Sequence, residues 1–212
     1  MAQRKSHSIV RRWARSSKGG CVGKESEPIV SVRQLDGRSI FVVDGLVQPD
    51  VVEVIYRSLR SLSFDLADYD TESTAEVQHW LHEFEPALFK ANPIFGTWFD
   101  LIVTKTQELF PANRLSLCRV HCNSHLYGDL QHAHRDVTPG VTALYFGNAR
   151  WIDDWQGEVL FYDLAGEPHQ AVAPKPGRVV LFPGDILHRG GVPSRKCFEP
   201  RLSVAFKFAA DE

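Results

Sequence analysis

The sequence has few cysteines, no long apolar run and little net charge. Its four cysteines include no CxxC pair, which argues against a zinc ribbon or a disulfide framework and favours a reducing compartment. No apolar run approaches the roughly 18 residues that cross a bilayer. A formal net charge of -2 gives no overall attraction to nucleic acid or to an anionic membrane. We therefore expect a cytoplasmic protein with no membrane partner, for which nucleic acid is a poor candidate ligand.

Acidic residues are missing from the start of the chain. Seven Lys or Arg side chains precede Glu25, the first acid, and apolar residues there are sparse. This composition lacks the apolar core of a secretory signal. It favours a solvated basic tail over residues 1–27, with an organelle transit peptide as the alternative. The remaining residues, 28–212, are enough for one domain with a sizeable core.

This domain consists of two consecutive parts that differ in composition. Helical spacing of apolar residues predicts a helical layer over about 46–110, with helices beginning at Pro49 and covering 74–91 and 95–109. A strand-rich core follows over about 115–209. Its predicted strands are short, β-branched or aromatic, and lie at 115–123, 141–146, 157–163, 169–174, 177–182 and 201–208. The pattern predicts an α+β protein with a mainly β core, a sandwich or barrel packed against N-terminal helices.

Metal-capable side chains recur at every second position in "QHAHRD": His132, His134 and Asp136. Residues two apart on an extended chain point the same way. Two imidazoles and one carboxylate form a metal set that leaves coordination positions open. The best candidate for a third ligand is His188, which follows a strand and a Pro-Gly-Asp turn. These residues alone leave open whether His132 or His134 binds.

A second polar pair opens the last predicted strand, where Arg201 and Ser203 share one face. A guanidinium is a rigid fork suited to a carboxylate, and a hydroxyl two residues further on adds a hydrogen bond to the same oxygens. The pair therefore indicates a site for a carboxylate.

In this order the motifs resemble the Fe(II)- and 2-oxoglutarate-dependent oxygenases, most closely their prolyl-4-hydroxylase-like branch, from about Ile40 to Phe208. The resemblance includes the motifs just described, Gly128 six residues before His134, and the segments "YFGNARW" (145–151), "WQGEVLFYD" (155–163) and "PKPGRVVLF" (174–182). It implies a double-stranded β-helix, that is, a cupin-like jelly roll. Two departures are Gln156, which replaces a glycine of the family pattern, and a longer turn between His188 and Arg201.

The resemblance also implies the roles of individual residues. His134, Asp136 and His188 would hold Fe(II), with His132 outside the ligand set, and Arg201 with Ser203 would hold the distal carboxylate of 2-oxoglutarate. O2 would be the oxidant, ascorbate an accessory reductant, and succinate and CO2 the products of oxidising an unactivated C–H bond. A carboxylate at position 136 implies hydroxylation or another oxidation, because halogenating relatives have a small residue there.

A tyrosine hydroxyl often assists the cosubstrate in this family. The family's Tyr-Leu-Asn motif appears here as Tyr145-Phe146-Gly147-Asn148. The hydroxyl is therefore either missing or supplied by Tyr145 or Tyr127.

Substrate contacts are expected from the strand at 115–123. Alternation places Leu117, Arg119, His121 and Asn123 on one face. A cationic pocket there would suit a small amino-acid-like or anionic molecule, whereas the alternative is that Arg119 pairs with a carboxylate. Trp151 lies in a loop that either contacts substrate or packs. A prolyl residue of a peptide remains an equally open substrate.

Two rival functions stay open at this stage. A nucleic-acid demethylase of the same superfamily is suggested by the run "NSHLYGDLQHAHRD" and by a basic residue six positions after Arg201. Salt-dependent binding to oligonucleotides would favour that reading. A metal-binding sensor without turnover is the other rival, since two histidines and a carboxylate also bind zinc. The oligomeric state is undetermined.

Overall fold

The computed structural model describes residues 27–112 and 114–210. The basic tail predicted over residues 1–27 therefore lies almost wholly outside the described residues. The strands are β1 (Ile29–Leu35), β2 (Arg38–Asp44), β3 (Asp65–Ala67), β4 (His79–Phe84), β5 (Leu115–His125), β6 (Gly140–Phe146), β7 (Val159–Tyr162), β8 (Pro168–Val172), β9 (Val179–Pro183), β10 (His188–Gly190) and β11 (Arg201–Ala210). The helices are α1 (Pro49–Arg60), α2 (Pro86–Ala91) and α3 (Phe95–Leu109), with 3₁₀ turns at Glu72–Thr74 and Asp153–Trp155. Within the described part of the chain, no helix combines the length and the apolar composition needed to cross a membrane.

The strands form two antiparallel sheets. The larger has the order β1-β2-β9-β6-β11-β5-β4-β3, and the smaller has the order β10-β7-β8. Strands far apart in the chain, such as β6, β9 and β11, are neighbours in the larger sheet, as jelly-roll connections require. The predicted mainly β core, a double-stranded β-helix behind N-terminal helices, is confirmed.

The larger sheet separates two apolar cores, because successive side chains point to opposite faces. On β9, Val179 and Leu181 pack toward α1 and α3, whereas Val180 and Phe182 pack toward the smaller sheet. Trp98 of α3 is fully buried in the helical core. The strands that carry the candidate site are thus fixed on one face by helices and on the other by a second sheet.

The predicted helix over 74–91 is wrong. Residues 79–84 form β4, which pairs with β5, and a separate short helix begins at Pro86. Proline is tolerated in the first turn of a helix but not in its interior. The helical spacing would have buried Trp80 and Leu88, but both side chains are exposed. Pairing of residues 79–84 with the edge of β5 therefore outweighs the local preference for a helix.

The prediction of which β5 side chains share one face agrees with the structure except at the start of the strand. The register between β5 and β11 shifts beside Lys207 and Phe208, so that Cys118 has no partner in the ladder. Such a bulge moves the preceding residues to the other face. Leu117 accordingly packs against the helical core, not beside Arg119 as predicted.

Candidate active site

Three side chains, from His134, Asp136 and His188, meet on the face of the larger sheet that lies toward the smaller sheet. One potential ligand atom from each lies within 4.8 Å of the others. The backbones of His134 and His188 exchange two hydrogen bonds, of 2.9 and 3.0 Å. This bridge joins the segment after β5 to the start of β10, which explains how histidines distant in sequence become adjacent.

The partners of both histidines determine which ring nitrogen is free. His134 Nδ1 lies 2.9 Å from Asp70 Oδ1, and His188 Nδ1 lies 2.9 Å from the carbonyl oxygen of Ile186. These oxygens only accept, so each Nδ1 carries the hydrogen. Both Nε2 atoms therefore face Asp136, at 3.7 Å for His134 and 3.5 Å for His188.

The charge states suit a divalent cation. Burial alone would raise the pKa of Asp136, but His188 and Lys207 hold that pKa below its usual value, so the carboxylate is ionised. Lys207 Nζ lies 2.7 Å from Oδ1, and Thr142 Oγ1 donates to Oδ2 at 2.5 Å. Burial lowers the pKa of His188 to about 4. At neutral pH its imidazole is neutral, which is the form that binds metals.

A buried arginine lies beside these three side chains. Arg201 is 1% exposed; its Nε donates to the Gly157 carbonyl oxygen at 2.8 Å and its Nη1 donates to Ser203 Oγ at 3.1 Å. Burial lowers its pKa to about 10, so it remains protonated at neutral pH. Its Nη2 is buried without a hydrogen-bond partner among the described residues. Such a donor marks a place for an anion.

The cavity around the three side chains divides into two lobes. One, the arginine lobe, measures about 50 Å³ and is lined by Thr142, Leu144, Val159, Phe182, Arg201 and Ser203. The other, the polar lobe, measures about 100 Å³ and is lined by Asp68, Tyr69, Asp70, His79, Arg119 and Arg135. Both share the walls formed by His121, Asn123, Gln131, His134, Asp136 and Lys207. The candidate ligands thus stand between an arginine and a polar chamber.

Only some of the residues that were predicted to contact substrate line the cavity. His121 and Asn123 line both lobes. Arg119 lines the polar lobe, but its guanidinium lies within 2.8 Å of Glu83 Oε2 and 2.7 Å of Asp68 Oδ2. This arrangement favours the alternative in which Arg119 serves as a partner for carboxylates.

The expectation for Tyr145 is wrong. Thr142 and Leu144 point into the arginine lobe, so alternation along β6 turns Tyr145 to the opposite face, where its ring packs 4.5 Å from that of Trp98. Tyr127 is 61% exposed and lines an outer groove with Gly128. The lining of the two lobes includes neither tyrosine.

Three further residues flank the site. Trp151 lies outside both lobes and donates from Nε1 to the Gln156 carbonyl oxygen at 2.8 Å, which fits the packing alternative. His125 pairs with Arg201 across β5 and β11, and burial lowers its pKa to about 3, so it is neutral. The backbone N–H of His132 donates to Asp70 at 2.5 Å.

Sequence reasoning missed Asp70 and the role of Lys207. Lys207 was detectable, because it stands on the same face of β11 as Arg201 and Ser203. Asp70 lies in a loop after β3, and no motif links it to His134. Its contribution depends on how that loop lies against the sheet.

Comparison with known proteins finds a family that matches part of the chain. Residues 118–208 match the model of the 2OG-Fe(II) oxygenase superfamily, whereas no curated protein sequence matches the chain.

Solved structures with the same fold include prolyl hydroxylases and an epimerase. A Pseudomonas putida prolyl-4-hydroxylase has a TM-score of 0.60 at 16% identity, over 82% of this chain and 93% of its own. A Trichoplax adhaerens prolyl hydroxylase, in complex with a hypoxia inducible factor peptide fragment, has a TM-score of 0.61 at 11% identity, over 80% and 83%. The alpha-ketoglutarate-dependent epimerase SnoN of nogalamycin biosynthesis has a TM-score of 0.59 at 14% identity, over 80% and 76%.

The match spans all three candidate metal ligands and Arg201, and the fold surrounding them is that of the prolyl-4-hydroxylases. Over residues 118–208 the chain is therefore similar to the superfamily of 2OG-Fe(II) oxygenases, and its described part has the fold of solved prolyl-4-hydroxylases.

Proposed function

We propose that the protein is a hydroxylase in which His134, Asp136 and His188 hold Fe(II), while Arg201 and Ser203 hold the distal carboxylate of 2-oxoglutarate. The unpartnered Nη2 of Arg201, buried beside a two-histidine, one-carboxylate set, is the observation that supports this assignment most strongly. Two imidazoles and a carboxylate are a donor set that suits Fe(II) and leaves positions open.

Each residue has a separable task. When bound, Fe(II) and 2-oxoglutarate supply the oxidising power for C–H oxidation, with succinate and CO2 as products. Arg201 and Ser203 orient the cosubstrate by charge and hydrogen bonding. Leu144 and Phe182 exclude water from the arginine lobe, which strengthens those electrostatic contacts.

The polar lobe supports a small polar substrate. Its wall carries both acidic side chains, Asp68 and Asp70, and basic ones, Arg119 and Lys207. Such a wall suits a molecule that carries both an amine and a carboxylate, or a single residue of a peptide, and disfavours an apolar one. We therefore infer an amino-acid-like molecule, an anionic small molecule or a prolyl residue as substrate.

Aerobic incubation with Fe(II) and 2-oxoglutarate tests the proposal, with succinate and the oxidised substrate as readouts. Panels of free amino acids, small acids and prolyl peptides should show one class that stimulates succinate formation. His134→Ala should abolish that formation. Equal succinate from the His134→Ala variant would contradict the proposed centre.

Turnover of N-methylated oligonucleotides, with affinity that falls as salt rises, would instead favour the demethylase. Tight zinc binding without turnover under any condition would favour the sensor.

A further inference from the structure

We propose that Asp70, assisted by His79, is a positioning residue for the metal ligand His134 and makes the two histidines unequal as ligands. The inference rests on the proposed function, because it concerns the same metal centre. Its readout is metal affinity, which is separate from turnover.

Three groups surround the Asp70 carboxylate, which is 3% exposed. His134 Nδ1 lies 2.9 Å from Oδ1. On the other oxygen, the backbone N–H of His132 donates at 2.5 Å, and His79 Nε2 lies 3.1 Å away with a less favourable alignment. A buried carboxylate held from both oxygens has little freedom to rotate, so it fixes the ring that faces it.

A carboxylate beside a ligand imidazole does two things. It accepts the Nδ1 hydrogen, which leaves the Nε2 lone pair of His134 directed at the metal position, and it makes that nitrogen a stronger donor. His188 has only the neutral carbonyl of Ile186 behind its ring. His134 is therefore the stronger ligand.

The support comes from outside the matched part of the chain. Asp70 follows β3 and His79 begins β4, whereas the family model matches residues 118–208. The segment over 65–84, which adds two strands to the edge of the larger sheet, thus carries a second task. It supplies the charge that orients a ligand of the catalytic core.

Titration of the intact protein with Mn(II) alone, by calorimetry, tests the inference. Asp70→Asn should weaken Mn(II) binding by about ten- to a hundredfold. Glu72→Gln is the matched control, because Glu72 is an exposed carboxylate in the same segment between β3 and β4, accepts a hydrogen bond from Tyr69 and lines neither lobe. It should bind Mn(II) as the wild type does.

Variants of His79 keep the test decisive if Asp70→Asn folds poorly. His79→Gln retains a donor toward Asp70 and should bind Mn(II) nearly as the wild type does, whereas His79→Leu should bind several-fold more weakly. In a Co(II)-loaded protein, the visible spectrum should shift in His79→Leu and stay unchanged in His79→Gln. A general loss of packing would change the metal affinity and the spectrum of both variants alike.

The outcomes distinguish the two proposals. Unchanged Mn(II) affinity in both Asp70→Asn and His79→Leu, with a wild type that binds, would overturn the positioning role and leave the proposed function intact. Equal weakening in Glu72→Gln would also overturn it. A wild type that binds no metal would overturn the proposed function itself.

Discussion

The two lobes of the cavity differ in how their charges are satisfied. The arginine lobe holds one buried cation, Arg201, whose Nη2 has no partner among the described residues, between aliphatic and aromatic walls. In the polar lobe, Arg119 is paired with Asp68 and Glu83, and Lys207 is paired with Asp136. A buried charge without a partner is costly, so Arg201 calls for a ligand of opposite sign, whereas these charges of the polar lobe already have partners. This contrast agrees with the proposal that the arginine lobe holds the cosubstrate and the polar lobe holds the substrate.

The largest effect is expected from removing the unpaired charge. Arg201→Leu should weaken 2-oxoglutarate binding at least about thirtyfold, because losing one member of a buried charge pair costs roughly 2 kcal/mol or more. Titrating 2-oxoglutarate into the Mn(II)-loaded protein measures the change. Arg119→Gln is the control in the polar lobe and should leave this affinity unchanged. Equal losses of 2-oxoglutarate affinity in both variants would contradict the proposed difference between the two lobes.

A smaller effect is expected from pushing Arg201 aside. Gly157 has φ +88°, and a Cβ there would lie 3.0 Å from Arg201 Cδ. Gly157→Ala should lower 2-oxoglutarate affinity by about tenfold, since misplaced contacts lose much of their worth. Gly166→Ala is matched in backbone strain, with φ +83° and open space around its Cβ. Both variants should lose roughly 1–2 kcal/mol of unfolding free energy. Only Gly157→Ala should lose cosubstrate affinity.

The smallest effect is expected at the boundary between the lobes. Lys207 places a positive charge 2.7 Å from Asp136, where it competes with a metal cation. Lys207→Met should raise Mn(II) affinity a few-fold, or about 1 kcal/mol, without changing 2-oxoglutarate affinity at full metal occupancy. Lys196→Met, which breaks an exposed pair with Asp154, is the control. Weaker Mn(II) binding would show instead that Lys207 orients Asp136 for the metal.

Local sequence patterns predicted most of the side chains that line the candidate site. Alternation on β11 and β5 placed Arg201, Ser203, His121 and Asn123 on one face, because side-chain direction along a strand is a local property. The same alternation did not show which face of β6 is turned to the cavity, so Tyr145 was assigned to the wrong side. The helix expected over 74–91 failed for a related reason. Pairing with β5 is a contact with a distant segment, and it outweighs local helical spacing.

By itself, the sequence determined which groups are proposed to hold metal and cosubstrate, namely His134, Asp136, His188, Arg201 and Ser203. The types of these residues and their order along the chain can be read without knowing how the surrounding loops fold. Only the tertiary structure decided that Asp70 stands behind His134, that Lys207 pairs with Asp136 and that Arg119 is committed to Asp68 and Glu83. These contacts join segments far apart in the chain, so they exist only once the order of strands in the larger sheet brings those segments together.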